Sequence, residues 1–126
     1  SLRNCRQGSC TVTHQILGRH LIADFKTTNI AILKNMQTME NLLQNACRAA
    51  GAEVLGVNFH GFGQDCGYTG VVILAESHAS IHTWPEFGAA ALDIFMCGNC
   101  DPMIALSNLK STLGEPSTFK LIERAI

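Results

Sequence analysis

The residues whose types could carry out chemistry are concentrated between positions 75 and 88. This stretch contains a serine preceded by a carboxylate (Glu76-Ser77), two histidines four residues apart (His78 and His82) and the only tryptophan of the chain. A segment that only filled a core would be more apolar, and one that only formed a turn would contain more glycine and asparagine. We therefore expect a functional site that is built on a strand.

Ser77 does not lie in the Gly-x-Ser-x-Gly sequence of esterases, so its surroundings do not indicate a simple hydrolase. Its hydroxyl can instead attack the carbonyl of the preceding peptide bond, which belongs to Glu76, and convert that amide into an ester. A base that removes the α-proton of Ser77 then cleaves the ester by β-elimination, and hydrolysis of the dehydroalanine leaves a pyruvoyl group. Such a ketone forms a Schiff base with an amine substrate and accepts the electrons left by loss of CO₂. A cysteine or histidine can reprotonate the carbon.

The stretch has the alternation of a strand. Over residues 77–83, period-two geometry puts the two histidines and Ser80 on one face and Ala79 and Ile81 on the other. The polar face indicates function, and the apolar face anchors the strand in a core.

The remaining pattern predicts a small α+β domain. Further strands are expected over 18–25, 52–60, 68–75, 89–96 and 118–123, with one helix between the Thr27-Thr-Asn29 cap and Gly51 and another from Asp101 to Gly114. The Val-Val-Ile-Leu run of the third strand predicts burial on both faces or at the sheet centre. Short connections favour a mainly antiparallel sheet with two helices on one face, a two-layer α/β sandwich. The other face must be buried by something, and a second copy is the obvious candidate.

Length and composition limit the alternatives. A chain of 126 residues predicts one domain, with an N-terminal tail over 1–15 and the domain over 16–126. The formal net charge is −1 and no apolar run reaches the ~18–20 residues of a membrane span, so neither nucleic acid nor a membrane is expected as a partner. Irregularly spaced cysteines and no visible signal peptide predict reduced thiols and a cytoplasmic protein. The cysteines are Cys5, Cys10, Cys47, Cys66, Cys97 and Cys100.

Three segments resemble one known family. Residues 75–86, 91–98 (Ala-Leu-Asp-Ile-Phe-Met-Cys-Gly) and 18–25 (Gly-Arg-His-Leu-Ile-Ala-Asp-Phe) are similar to the prokaryotic-type S-adenosylmethionine decarboxylase proenzyme, and the resemblance extends over roughly residues 16–113. It implies a self-processing, pyruvoyl-dependent decarboxylase of S-adenosylmethionine that makes the aminopropyl donor for spermidine and polyamine biosynthesis. It also implies a homodimer in which two sandwiches pack sheet to sheet (αββα), with the sites at the interface.

The same resemblance implies which residues process the chain. Ser77 would be the precursor of the pyruvoyl group, and the chain would cut itself between Glu76 and Ser77. His82 would be the base that removes the α-proton of Ser77. Thr69 stands where the family usually has a serine that assists processing; threonine keeps the hydroxyl and adds a methyl group.

Three further positions are implied to serve the decarboxylation. Cys97 would donate a proton to the decarboxylated carbon, Glu86 would bind the ribose hydroxyls, and Phe62 would stack on adenine. The 62–67 loop is one residue longer than the family form.

Several alternatives stay open at this point. The same scaffold could decarboxylate arginine or ornithine, or it could be a non-processing homologue that regulates a partner subunit. The Cys97-Gly-Asn-Cys100 sequence could also be half of a zinc site or a redox pair, although no further ligands are free for zinc and the context is not that of a thioredoxin motif. We therefore expect no metal, and Cys66 and Cys100 have no role that we can name.

Overall fold

The structure is a computed structural model and describes residues 15–126. The predicted N-terminal tail, with Cys5 and Cys10, lies outside the described residues except for Gln15. Backbone hydrogen bonds of 3.0 and 2.9 Å join Gln15 to Ile126, so the first described residue pairs with the last.

Within residues 15–126, the chain forms six strands and three α-helices. The strands are β1 (Ile16–Lys26), β2 (Val54–Gly61), β3 (Tyr68–Leu74), β4 (Ser77–Trp84), β5 (Ala89–Met96) and β6 (Thr118–Ala125), and the helices are α1 (Ile30–Lys34), α2 (Met36–Ala49) and α3 (Pro102–Leu113). A single turn of 3-10 helix, Pro85–Phe87, lies between β4 and β5. Each predicted strand is therefore present, within a few residues of its expected ends.

All six strands form one antiparallel sheet in the order β2-β3-β4-β5-β1-β6. The pairing of β4 is uninterrupted on both sides: His82 is opposite Thr69 on β3, and His78 is opposite Phe95 on β5. The candidate strand is thus an inner strand of the sheet. The predicted α+β sandwich with a mainly antiparallel sheet is confirmed.

One face of the sheet packs against the helices. Along β5, every second side chain (Ala90, Leu92, Ile94 and Met96) is buried in a single core with apolar residues of α2 and α3. Ala79 and Ile81 of β4 belong to the same core, as the alternation predicts. Burial of each large aliphatic side chain contributes about 1.5–3 kcal/mol, so this face fixes the register of the strands.

The first predicted helix is divided in two. Asn35 leaves the helical region (φ −101°, ψ 82°), and its side-chain oxygen accepts a hydrogen bond of 3.1 Å from the Thr38 amide. Asparagine therefore begins α2 as an N-cap instead of continuing α1. At α3 the predicted signals hold, because Asp101 caps the helix by accepting from the Met103 amide at 3.0 Å and Gly114 follows it at φ 82°.

The other face of the sheet is open. Val72 and Leu74 of β3 are buried, but Val71 and Ile73 are 36% and 53% exposed. The expectation that this strand is buried on both faces is therefore wrong within residues 15–126, where no helix covers its second face. Ile122 of β6 is also exposed on this side, where it lies opposite His20.

Candidate active site

A tight hairpin between β3 and β4 presents the predicted cleavage position. Leu74 and Ser77 pair across it, and Ala75 and Glu76 form the two-residue connection. The Ala75 amide donates to the Glu53 carbonyl at 3.0 Å, which ties the connection to the residue before β2. Ser77 is the first residue of β4, so the peptide bond that precedes it lies at the end of the sheet.

Cys97 meets Ser77 at this end of the sheet. It follows the last residue of β5, and the β4–β5 pairing brings its Sγ atom to 3.4 Å from Ser77 Oγ and 3.5 Å from the Glu76 carbonyl oxygen. Its backbone amide donates to Ser77 Oγ at 3.3 Å. Glu76, Ser77 and Cys97, for which the family resemblance implies roles in cleavage and protonation, are therefore in direct contact.

Cys97 is disulfide-bonded in the structure, whereas the thiols of Cys47 and Cys66 are free. The expectation of reduced thiols throughout is therefore wrong for Cys97. Spacing along the chain gave no signal of this pairing, because cysteine spacing does not report spatial proximity. A proton donor needs the reduced thiol, so chemistry at Cys97 depends on its reduction.

A turn anchored by Arg19 holds the Cys97-Gly-Asn-Cys100 segment. The Arg19 guanidinium donates to the Cys100 carbonyl at 2.9 Å and lies 3.8 Å from an Asp101 carboxylate oxygen. Gly98 has φ 63°, and the Cys100 amide donates back to the Cys97 carbonyl at 3.3 Å. Cys100 thus serves the turn through its backbone. No group of three or more His, Cys, Asp or Glu side chains in residues 15–126 is arranged to hold a metal ion.

His82 and Thr69 form a second cluster near the other end of β4. Their pairing across β3 and β4 places Thr69 Oγ1 3.0 Å from His82 Nδ1. The hydrogen bond fixes the orientation of the imidazole and leaves Nε2 available for other contacts. Trp84, two residues further along the same face, lies with its ring centroid 6.2 Å from that of His82.

A pocket of about 620 Å³ adjoins this second cluster. Phe62 from the glycine-rich loop, Glu86 from the 3-10 turn and Trp84 line it together with Thr69 and His82. The volume lies in the range of ~300–1,000 Å³ that is typical of small-molecule sites. The structure therefore gathers the residues expected to bind a nucleoside around one cavity.

Buried polar residues behind the pocket were not found from the sequence. The Thr83 hydroxyl donates to the Leu33 carbonyl at 2.8 Å and accepts from the Tyr68 amide at 3.0 Å. The Tyr68 hydroxyl donates to the Ile32 carbonyl at 2.7 Å, and burial raises the pKa of this phenol. These bonds join α1 to β3 and β4, so they fix the wall of the pocket.

The last residue of β1 and the one after it hold the 3-10 turn in place through hydrogen bonds to backbone carbonyls at its end. The Thr27 amide donates to the Gly88 carbonyl at 2.8 Å, and Lys26 Nζ lies 2.6 Å from the Phe87 carbonyl oxygen. Gly88 has φ 62°, and a Cβ there would lie 2.9 Å from the Thr27 carbonyl oxygen, so only glycine fits. These contacts determine where Glu86 sits at the rim of the pocket.

The two clusters do not meet within one chain. Ser77 and His82 are five residues apart on an uninterrupted strand, which at about 3.3 Å per residue separates them by roughly 16–17 Å. Hydrogen-bond reach is about 3 Å. The structure therefore brings Glu76, Ser77 and Cys97 together, and it brings Phe62, Thr69, His82 and Glu86 together (seven residues in all), but it leaves the two groups apart.

The open face between the clusters carries a mixed surface. His78 stacks against Phe95 at 6.1 Å between ring centroids, and His20 Nε2 lies 3.1 Å from an Asp93 carboxylate oxygen. Arg124 lies over the Phe95 ring at 5.7 Å. His78 therefore belongs to this surface and not to the His82 cluster. Among residues 15–126, no helix is long and apolar enough to cross a membrane.

The two clusters contain a serine, a cysteine and a histidine, side chains that act as nucleophiles, proton donors and bases in enzymes. The S-adenosylmethionine decarboxylase family model matches residues 19–124. The chain is 49% identical to the S-adenosylmethionine decarboxylase proenzyme of Thermodesulfovibrio yellowstonii over 65% of its length and 60% of the relative. It is 46% identical to the proenzyme of Thermosipho melanesiensis over 77% of its length and 75% of the relative.

A solved structure agrees with these sequence matches. The adenosylmethionine decarboxylase from Aquifex aeolicus superposes with a TM-score of 0.72 at 32% identity, and the match covers 86% of this chain and 89% of that one. The chain belongs to the S-adenosylmethionine decarboxylase family. The resemblance found in the sequence is therefore confirmed, and the α+β fold of the single chain agrees with it, whereas the sheet-to-sheet dimer stays a prediction.

Proposed function

We propose that the chain is the precursor of a self-processing, pyruvoyl-dependent decarboxylase that acts on S-adenosylmethionine. The contact among Glu76, Ser77 and Cys97 supports this proposal, because a serine follows the bond to be cut and a sulfur atom lies beside both. A cytoplasmic location stays a prediction from the sequence.

Processing uses only groups of the chain and one water molecule. Ser77 Oγ forms a bond to the Glu76 carbonyl carbon, the bond from that carbon to Ser77 N breaks, and the hydroxyl proton passes to the nitrogen. A base then takes the Ser77 α-proton, the Cβ–O bond breaks, and residues 1–76 leave with a carboxylate terminus. The dehydroalanine becomes an imine, and water replaces its nitrogen, which departs as ammonia. Ser77 fits this role because the Cys97 amide holds its hydroxyl at the turn.

The pyruvoyl ketone derived from Ser77 would supply the electron sink that lets the substrate lose CO₂. The chain's own residues then bind the substrate and deliver the proton. Cys97, at the same end of the sheet, protonates the carbon that lost CO₂. Phe62 stacks on the adenine, and Glu86 accepts hydrogen bonds from the ribose hydroxyls. The product would be the aminopropyl donor for polyamine synthesis.

The distance between Ser77 and His82 supports a shared site. In this proposal, two copies pack their open faces together, and His82 of one copy takes the Ser77 α-proton of the other. Consider a two-fold axis in the plane between the two sheets, perpendicular to β4 and level with the middle of that strand near Ser80. This axis brings residue 77 of each copy opposite residue 82 of its partner. Sheets packed face to face are about 10 Å apart, a gap that interdigitated side chains fill. Exposed Val71 and Ile73 give this face an apolar part to bury.

The pocket separates the two candidate substrate classes. A cavity of about 620 Å³ beside an exposed phenylalanine accommodates a nucleoside, which arginine and ornithine lack. The test is release of CO₂ from carboxyl-labelled S-adenosylmethionine, arginine and ornithine by the purified protein. We expect release from S-adenosylmethionine alone. Release from arginine or ornithine alone would replace the proposed substrate, and release from none by a cleaved protein would refute the activity.

A non-processing regulatory homologue is the second candidate. Thr69 keeps it open, because threonine replaces the usual family serine at a processing position. In the structure, however, Thr69 Oγ1 lies 3.0 Å from His82 Nδ1, so the threonine hydroxyl reaches the imidazole that we propose as the base. This contact favours the self-processing enzyme. A chain that stays whole and binds a cleaved relative would favour the regulator.

A further inference from the structure

Two non-glycine residues in the described part of the chain have a left-handed backbone, Asp65 at φ 62° and Glu76 at φ 59°. Aspartate and asparagine adopt this region more readily than other residues because their short polar side chains can form local hydrogen bonds. A glutamate there is unusual. Glu76 supplies the carbonyl of the peptide bond that we propose to be cut.

The crowding acts on that same carbonyl. In the left-handed region, Cβ of an L-residue approaches the carbonyl oxygen that follows it. For Glu76 this is the oxygen that lies 3.5 Å from Cys97 Sγ, on the carbon that Ser77 Oγ must attack. The residue therefore crowds the reacting group and not a neighbouring one.

The hairpin prevents the crowding from relaxing. Leu74 pairs with Ser77 on one side of the connection, and the Ala75 amide is bonded to Glu53 at 3.0 Å on the other. Since both flanks are fixed, Glu76 cannot rotate to negative φ without breaking the pairing of β3 with β4. Strain of this kind persists only where the surrounding structure holds it.

We propose that the left-handed backbone of Glu76 is a positioning device that drives the first step of self-cleavage. In that step, a bond forms from Ser77 Oγ to the Glu76 carbonyl carbon, the bond from that carbon to Ser77 N breaks, and the hydroxyl proton passes to the nitrogen. Attack takes the carbonyl oxygen out of the peptide plane, and cleavage then frees Glu76 from the turn. The crowding is thus released along the reaction. This inference rests on the proposed self-processing.

The test compares three substitutions of Glu76 that differ in how readily the new residue adopts the left-handed region. Glu76→Gln removes the charge and keeps the crowding, whereas Glu76→Asn removes the charge and relieves the crowding, and Glu76→Gly relieves it fully. The rate of conversion from whole chain to fragments is followed by intact mass. We expect the Asn and Gly variants to cleave roughly three- to tenfold more slowly than the Gln variant.

A second measurement shows whether the variants fold and whether the strain exists. In a Ser77→Ala background, where cleavage is blocked, Glu76→Asn should unfold at a higher temperature than Glu76→Gln. Asparagine at position 76 would then stabilise the uncleavable chain and, with Ser77 present, slow cleavage. A substitution that only damaged the fold would lower the melting temperature instead of raising it. Equal melting temperatures would overturn the claim of strain.

The outcomes distinguish this inference from the function on which it rests. If the unsubstituted chain cleaves and the Asn, Gly and Gln variants cleave at equal rates, the strain does not drive the step and only this inference fails. If Asn and Gly cleave faster than Gln, the inference is likewise overturned. If the unsubstituted chain stays whole, both the inference and the proposed self-processing fail.

Discussion

A mixture of two inactive variants should cleave. Ser77→Ala removes the nucleophile at one end of β4, and His82→Ala removes the base roughly 16–17 Å away near the other end. Neither chain alone contains a complete site, so each should stay whole. When the two are combined in one dimer, Ser77 of the His82→Ala chain meets His82 of the Ser77→Ala chain, and one of the two sites is complete.

The expected yield follows from random pairing. Equal expression gives one quarter of each homodimer and one half of mixed dimers, so half of the His82→Ala chains lie beside a Ser77→Ala chain. About half of the chains that retain Ser77 should therefore be cut. The assay is co-expression of the two chains with different affinity tags and intact-mass measurement before and after tandem purification. The fraction of one half is expected before purification, and nearly all Ser77-containing chains should be cut in the isolated mixed dimers.

The control replaces the Ser77→Ala chain by one that carries both substitutions. That mixture contains Ser77 but no His82, and we expect no fragments from it. Mixed dimers that pass both affinity steps and stay whole would refute the shared site. Cleavage of the His82→Ala chain by itself would refute the role of His82 as the base.

Four further outcomes are expected. Phe62→Ala should raise KM for S-adenosylmethionine at least about tenfold with a smaller change in kcat, because it removes the stacking surface; steady-state kinetics with an unchanged KM would exclude the stacking. Thr83→Val should lower the free energy of unfolding by about 2 kcal/mol, since two buried backbone groups lose their partner. Urea unfolding measures this difference, and an unchanged free energy of unfolding would show that the two hydrogen bonds do not stabilise the fold. At pH 8, iodoacetamide should label exposed Cys66 and leave Cys47, because burial raises the pKa of the Cys47 thiol to about 12 and keeps it protonated; equal labelling by mass spectrometry would contradict this. With the Cys97 disulfide intact, turnover should require a reductant, because only the Cys97 thiol can donate a proton. Equal turnover without reductant, by protein in which non-reducing mass measurement shows that disulfide, would remove Cys97 as the donor.

Regular patterns predicted most of the fold. β5 was expected over 89–96 and has those bounds, because its apolar residues alternate strictly and bury one face. Asp101-Pro102 and Gly114 marked both ends of α3, since capping is a local property of the chain. Asn35 was missed because the apolar spacing continues across it, although an asparagine three residues before Thr38 is a capping signal.

The candidate site was predicted residue by residue but not in its arrangement. Ser77 and His82 are close in sequence and were treated as parts of one site, yet on a strand five residues span the length of the element. The separation of Ser77 and His82 could have been calculated from the predicted strand over 77–83 and the rise per residue of a strand. The bonds of Thr83 and Tyr68 to α1 could not be found from the sequence, because they join residues about 35–50 positions apart through backbone groups.

The most direct test of the proposed function is the mass of the intact purified protein under denaturing, reducing conditions. We predict two fragments that divide between Glu76 and Ser77, the C-terminal one lighter than its serine form by the mass of one ammonia molecule. This result would place a pyruvoyl group at position 77. A single mass near 13.6 kDa that persists after long incubation would contradict self-processing and would favour the regulatory homologue.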